Sequence, residues 1–454
     1  MEDSIAAIST PIGDGGIAII RISGPRALAI ADAIFVSPKG APSSYASHTI
    51  HLGKIRGDQH QTLDEVLLSV MRAPHSYTTE DLIEINCHGG QQIARSILAQ
   101  CLRQGARLAD PGEFTKRAFL NGRMDLTQAE AVLEVISAKT ARAQTVAENA
   151  LGGRLSQQVE KIRQQLLGSL AQIEAQIDFP EEDISPVTRC ELEADLANVI
   201  ASLEQLLATA AEGKILRDGI SIAIFGRPNA GKSSLLNALV GEDRSIVTDI
   251  PGTTRDTIEE SANIRGLPVR FTDTAGIRKP RGRAEELGII RSHKALDSSD
   301  IGIHIMDSSR TLSPVDIQLF KRNDSKNIIR VLNKIDLTRK LILKPELVNS
   351  KIIEISAVTG QGIELLKDRI EQVALHTSAT ASELEVTINE RHAHAVTRSI
   401  IELQSALRDL HSNASIEIVA QQLRIGFSII GEIVGKTTTE DLLENIFSKF
   451  CIGK

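Results

Sequence analysis

An eight-residue stretch, Gly226-Arg227-Pro228-Asn229-Ala230-Gly231-Lys232-Ser233, constrains the fold of this chain more than any other feature. It follows the apolar run Ser221 to Phe225 and leads into Ser234-Leu235-Leu236-Asn237-Ala238-Leu239-Val240, so the expected order is strand, glycine loop, helix. That is the setting the pattern G-x-x-x-x-G-K-S requires. The glycines let backbone N–H groups wrap a phosphate chain, and the helix N-terminus adds partial positive charge. Lys232 is placed to reach the β- and γ-phosphates, and the Ser233 hydroxyl to ligate Mg²⁺.

Three more patterns follow in order. Asp273-Thr274-Ala275-Gly276 closes the run Val269-Arg270-Phe271, an expected strand beside the first. Its carboxylate can hold Mg²⁺ through water, and Gly276 can offer its N–H to the γ-phosphate. Asn333-Lys334-Ile335-Asp336 ends the strand candidate Ile328 to Leu332. An aspartate there accepts the N1–H and N2–H₂ donors of guanine, which adenine does not present. Ser356-Ala357 ends a further candidate, Ile352 to Ile355, and backs the base with main-chain N–H. Every pattern sits at the C-terminal end of an expected strand, where open α/β sheets bind ligands. With Asn229, Ala230, Gly231, Lys232, Ser233 and Ser234 around the phosphates, the set reads as a GTP site.

Two positions depart from a Ras-like switch. Ile277 stands where a glutamine orients the attacking water. Another group must take that task, and the segment Arg278 to Glu286 offers two carboxylates, of which Glu285 is the choice. On pattern alone an ordinary carboxylate at a helix N-terminus is an equal reading of it. Asn229 is the second departure, a neutral acceptor beside the β- and γ-phosphates. A cation held there would neutralise transition-state charge. The loop Val247-Thr248-Asp249-Ile250-Pro251-Gly252-Thr253-Thr254-Arg255-Asp256 supplies carbonyls and hydroxyls, oxygen ligands that suit a hard cation. Arg255 as an arginine finger is the alternative, and the residues leave both open.

This loop, the Gly-x-Pro-Asn-Ala-Gly-Lys-Ser stretch and Asp273-Thr274-Ala275-Gly276 resemble the Era-type, cation-dependent GTPases. Further elements are Gly15-Gly16-Ile17-Ala18-Ile19-Ile20-Arg21-Ile22-Ser23-Gly24, His88-Gly89-Gly90, Pro111 through Gly122, and the tail Phe450-Cys451-Ile452-Gly453-Lys454. With them the whole chain resembles the MnmE (TrmE) family of tRNA-modification GTPases.

The resemblance implies K⁺ held by Asn229 with Thr248, Ile250 and Thr253, and Mg²⁺ held by Ser233 and Thr254. The nucleotide contacts would extend over Thr248, Asp249, Ile250, Pro251, Gly252, Thr253 and Thr254. Glu285 becomes the water-orienting or general-base residue, with Lys232 and Cys451 as the other catalytic positions. Pro251 stands where a small residue such as Ala is as readily expected; it stiffens the loop without removing a ligand side chain. The family further implies folate contacts at Arg21, Glu84, Arg123 and Lys454, with 5,10-methylene- or formyl-tetrahydrofolate as one-carbon source. It places the Cys451 thiol near that chemistry. Implied partners are a second copy of the chain, the FAD-dependent MnmG in a heterotetramer or larger complex, and tRNA. The implied reaction adds a carboxymethylaminomethyl or aminomethyl group at C5 of the wobble uridine.

The expected fold class is α/β multidomain. Residues 1–121, with runs Ile5–Ile8, Ile17–Ile22, Val66–Val70 and Leu82–Ile85 and one helix over about Gln91 to Gln104, read as an α+β domain. The family makes this the dimerisation and folate-binding domain. Residues 122–216 and 379–454 carry apolar residues at helical spacing, such as Leu166-Leu167, Leu170, Ile173 and Ile177 up to Pro180, and the segments Val396–Leu407 and Ile416–Ile430. They flank the G domain, 217–378, which is therefore expected to be inserted into one all-α helical domain.

Composition narrows the function. The chain has 454 residues, no Trp, 3% aromatics and a net charge of −7. It lacks the stacking residues of a single-strand RNA platform and the charge of a broad nucleic-acid surface. A tRNA would need a local basic patch or a second protein. No run is long enough to span a bilayer and no signal peptide opens the chain, so a cytoplasmic location is expected. Cys87, Cys101, Cys190 and Cys451 show no C-x-x-C spacing and read as reduced thiols. A ribosome-assembly GTPase of the Era class is the competing reading, and a static nucleotide-bound dimer scaffold a third.

Overall fold

The computed structural model describes residues 3–11, 13–59, 61–178, 189–241, 260–272, 296, 299–312, 317, 327–342, 352–375, 386–412 and 414–454. The chain divides into two compact units, residues 1–133 with 156–167 and 424–454, and residues 134–155 with 168–423.

The first unit is built on a seven-stranded sheet. Its strands are β1 (Ile5–Ile8), β2 (Ile17–Ser23), β3 (Phe35–Val36), β4 (Thr49–Arg56), β5 (Thr62–Met71), β6 (Leu82–His88) and β7 (Arg107–Leu108), in the order β3-β4-β5-β6-β2-β1-β7. All pairs are antiparallel except β1 with β7. One face packs under helices α1 (Ala27–Ile34) and α2 (Gln91–Arg103). In α1 the buried residues Ala27, Ile30, Ala31 and Ile34 fall at i, i+3, i+4 and i+7, one stripe of a 3.6-residue period. They meet Ile20, Ile22, Ile83 and Ile85 of the sheet, each buried isoleucine contributing about 1.5–3 kcal/mol. Sequence reading expects one helix in this region; α1 and α3 (Glu113–Leu120) are additional. Both are only eight residues long, too short to stand on propensity, and tertiary burial forms them.

On the other face, Phe114 and Ala109 cover Ile5 and Ala7 of β1, with Tyr77 against them. Further along that face Ile50, Leu52, Leu67 and Ile17 are exposed. Leu52 lies directly opposite Leu67, and Leu67 opposite Asn86. Helix α4 (Leu126–Ser137) contributes Leu126 and Ala129 to a cluster with Leu443, Ile446, Phe447 and Phe450. That cluster anchors the last helix of the chain and sets where the tail emerges.

The second unit holds a six-stranded sheet of β8 (Ile220–Phe225), β9 (Glu260–Ile264), β10 (Leu267–Thr272), β11 (Ile301–Asp307), β12 (Ile328–Asn333) and β13 (Ile352–Glu354). The order is β13-β12-β11-β8-β10-β9, parallel except for β9. β10 pairs directly with β8, as the sequence predicts. β8, β11 and β12 are nearly continuous apolar runs, the signature of parallel strands buried on both faces. Helices α5 (Ala141–Leu151), α6 (Arg154–Asp178), α7 (Arg189–Ala208) and α8 (Ala210–Asp218) precede this sheet in sequence. α9 (Lys232–Val240) and α10 (Ile363–Leu375) lie between or after its strands, and α11 (Glu390–His411), α12 (Ile416–Val434) and α13 (Glu440–Phe447) follow. α7 packs on α11. Arg189 at the start of α7 donates to the carbonyls of Leu410, in the last turn of α11, and Ala414, just beyond it, at 2.9 and 3.2 Å. Helices from both sides of the G domain in sequence thus meet in space, the topology of an inserted domain.

Candidate functional site

β8 ends at Phe225 and α9 begins at Lys232, so the glycine stretch is the turn between them. Gly231 takes φ +103, and a Cβ there would run into the Asn333 amide. Only glycine fits that approach. It caps α9 with no side-chain hydrogen bond, and a helix N-terminus of this kind favours an anion. Lys232 lies over this cradle, with Nζ donating to the carbonyls of Gly226 and Arg227, both at 2.9 Å. Burial of the ammonium lowers its pKa; an anionic ligand would supply the charge that this site lacks. Ser233 and Ser234 follow in the first turn.

The base-reading loops are tied to the phosphate loop by one amide. Asn333, 2% exposed, donates from Nδ2 to the Ala230 carbonyl at 2.9 Å and accepts at Oδ1 from the Ala357 N–H at 3.0 Å. Lys334 donates to the Asn229 carbonyl at 2.8 Å. Ser356 donates to Asp336 Oδ1 at 2.6 Å, fixing an exposed carboxylate with its other oxygen available. The structure therefore brings together Asn229, Ala230, Gly231, Lys232, Asn333, Lys334, Asp336, Ser356 and Ala357. Thr248, Asp249, Ile250, Pro251, Gly252, Thr253, Thr254, Asp273, Thr274, Ala275, Gly276 and Glu285 lie outside the described residues.

Sequence reading missed Asp307, which ends β11 and binds Lys334 Nζ at 2.6 Å. The signal was present: Ile301 to Met306 is an apolar run ending in a carboxylate, the same layout as the other motif-bearing strands.

A second constellation occupies the first unit. Arg21 on β2 faces Glu84 on β6 in register and donates to its Oε1 from Nε and Nη2 at 2.9 and 2.7 Å. Its Nη1 donates to the Gly453 carbonyl at 3.3 Å, so the tail reaches the sheet. Gly453, at φ +94, lies so close to β1 that a Cβ would come 2.6 Å from the Ile8 carbonyl. The Cys451 carbonyl accepts from Gly112 N and Lys454 N at 3.4 and 3.3 Å, and its side chain is exposed. Arg123 donates to the Ser76 carbonyl at 2.7 Å. The guanidiniums of Arg21 and Arg123 lie 5.5 and 5.1 Å from the Tyr77 ring centre, and Arg21 5.6 Å from that of Phe114. Arg21, Glu84, Arg123 and the tail thus converge around an aromatic pair that sequence reading did not name. Tyr77 is one of only two tyrosines in the chain, and that rarity was the available hint.

Two family models together match nearly the whole chain. The MnmE helical domain model matches residues 126–451, and the model of the GTP-binding protein TrmE N-terminus matches residues 4–123. The chain belongs to the MnmE family. The tRNA modification GTPase MnmE of Bacillus licheniformis is 45% identical over 458 residues, covering 100% of both chains. That of Bacillus subtilis is likewise 45% identical over 458 residues with the same coverage. The Enterococcus faecalis MnmE is 44% identical over 457 residues, 100% of this chain and 98% of its own.

Proposed function

We propose that this chain, a GTP hydrolase as a member of the MnmE family, depends on K⁺ and Mg²⁺ and serves tRNA wobble-uridine modification. The observation that carries the reading is the Asn333 amide, which locks the guanine-reading loops to the phosphate cradle. Such a link lets base recognition and phosphate binding act as one unit.

Among the described residues no group of three or more His, Cys, Asp or Glu could hold a metal alone. Asn229 fits a shared site: it is exposed, its backbone is held by Lys334, and its side-chain oxygen is a neutral, hard donor. Ser233 supplies the Mg²⁺ hydroxyl, with Thr254 as its partner, and Thr248, Ile250 and Thr253 complete the K⁺ set. When bound, the two cations neutralise charge on the phosphates. Lys232 then stabilises charge on the β–γ bridging oxygen as its bond to the γ-phosphorus breaks. Glu285 orients the water that attacks that phosphorus. Asp336 accepts from guanine and rejects adenine, because adenine presents no donor at N1 or C2 and leaves the carboxylate acceptor unpaired.

Arg21, Glu84, Arg123 and Lys454 suit a tetrahydrofolate derivative. Glu84 accepts from pterin donors, the basic groups meet the glutamate tail, and Tyr77 offers a ring face. Cys451 stands beside this site. The exposed apolar row Ile50, Leu52 and Leu67 supports a homodimer, and the reading extends to an MnmG partner, tRNA and the cytoplasm. Residues 1–121, 122–216, 217–378 and 379–454 are the corresponding domains.

The test is complementation of a bacterium lacking its own MnmE, with tRNA nucleosides measured by mass spectrometry. Restored C5-substituted wobble uridine is expected, with loss of that restoration on Lys232→Ala. A well-expressed wild-type chain that restores none would overturn the reading and favour an Era-type switch.

A further inference from the structure

Asp307 lies opposite Asn333 in the parallel register of β11 and β12, level with the guanine-reading loop. Its side chain is 9% exposed, and the steps described so far give it no task. Oδ2 accepts from Lys334 Nζ at 2.6 Å, and Oδ1 accepts from the N–H and hydroxyl of Ser309 at 2.9 and 2.6 Å. Burial pushes the carboxyl up, but the hydrogen bonds from Lys334 and Ser309 outweigh it and hold it below the usual range. Arg310 Nε stands 3.8 Å away on an exposed side chain and contributes little.

The ammonium that Asp307 holds also donates to the Asn229 carbonyl at 2.8 Å. Both residues joined this way are left-handed, Lys334 at φ 67 and Asn229 at φ 63. Such conformations persist only when the surroundings over-determine them. A lysine stem is flexible and its charge strongly hydrated, so without the carboxylate Lys334 would turn to solvent and release the Asn229 backbone.

We infer that Asp307 is a positioning residue: through Lys334 it fixes the backbone of Asn229 and so the direction in which Asn229 presents its amide to K⁺. The inference rests on the K⁺ reading above. The other ties of the phosphate cradle, Lys232 on the carbonyls of Gly226 and Arg227 and the Asn333 amide on the Ala230 carbonyl, do not pass through Asp307.

The experiment uses the full-length protein and its Asp307→Ala and Asp307→Asn variants over a KCl series at constant ionic strength. Two signals are read: GTP turnover, and formation of the complex with GDP and aluminium fluoride, followed with a fluorescent GDP analogue. Asp307→Ala should raise the half-activating KCl concentration about tenfold in both, the scale of one hydrogen bond to a charged group. Asp307→Asn should raise it less, because the acceptor survives without the charge; it carries the test should the alanine variant fail to fold. Turnover at saturating KCl should stay within about threefold. Half-activating KCl equal to that of a K⁺-responsive wild type would overturn the assignment, as would a loss confined to GDP affinity. A wild type that ignores K⁺ would bring down the functional reading itself, and this inference with it.

Discussion

The nucleotide cradle and the tail constellation reach a binding site by opposite routes. The cradle is a contiguous stretch of backbone between β8 and α9, and its shape follows from glycine at Gly231 and from one amide, Asn333. The tail site has no contiguous stretch. Arg21, Glu84, Arg123 and Gly453 come from β2, β6, a turn and the chain end, and packing of α13 and Phe450 on α4 brings the last of them in. A backbone site is specified locally, whereas a side-chain site depends on the whole unit being folded around it.

The contrast is sharpest for Lys232→Ala. GTP turnover should fall about 10²- to 10³-fold, the scale of removing a group that stabilises transition-state charge. Binding of a tetrahydrofolate derivative, measured by calorimetry, should not change. Parallel loss of both would break the separation.

Arg117→Ala is the next largest. Arg117 is fully buried and binds Asp3, Glu80 and Glu113, so its removal leaves carboxylates uncompensated, at a cost of about 3 kcal/mol or more. Chemical denaturation should show it, with folate binding lost at lower denaturant than in wild type. Burial pushes the Asp3 and Glu113 carboxyls up, but hydrogen bonds from Arg107 and the charge of Arg117 hold both below their ordinary values. Folded values lower than unfolded ones contribute stability above the ordinary carboxylate range, and it is lost as pH falls through the folded values. Wild type should therefore lose stability on acidification in that range, and Arg117→Ala should flatten the pH dependence.

A smaller effect is expected for Arg21→Ala. Losing its hydrogen bonds should weaken folate binding by about 10- to 100-fold while GTP turnover is retained. Unchanged binding would remove Arg21 from that site.

These differences explain what the sequence made legible. Lys232, Asn333 and Asp336 were readable because each lies in a fixed spacing after an apolar run, and local rules govern both. Strands β8, β10 and β12 were readable for the same reason. Strand β4 and helix α1 were not, since Ile50 and Leu52 are exposed on one face and α1 depends on tertiary burial. Tyr77 and Phe114 were invisible as partners of Arg21 because nothing local links residues 21, 77 and 114. Asp307 shows the remaining case: it obeyed the local rule, but its role appears only when Lys334 is seen bridging it to Asn229.

The most direct test of the account is steady-state GTP hydrolysis by the pure protein in KCl and in NaCl at equal ionic strength. Strong acceleration by K⁺, lost on Asn229→Ala, is the predicted result. Equal, slow rates in both salts would contradict it and leave a GTPase that takes its catalytic charge from Arg255 or from a partner.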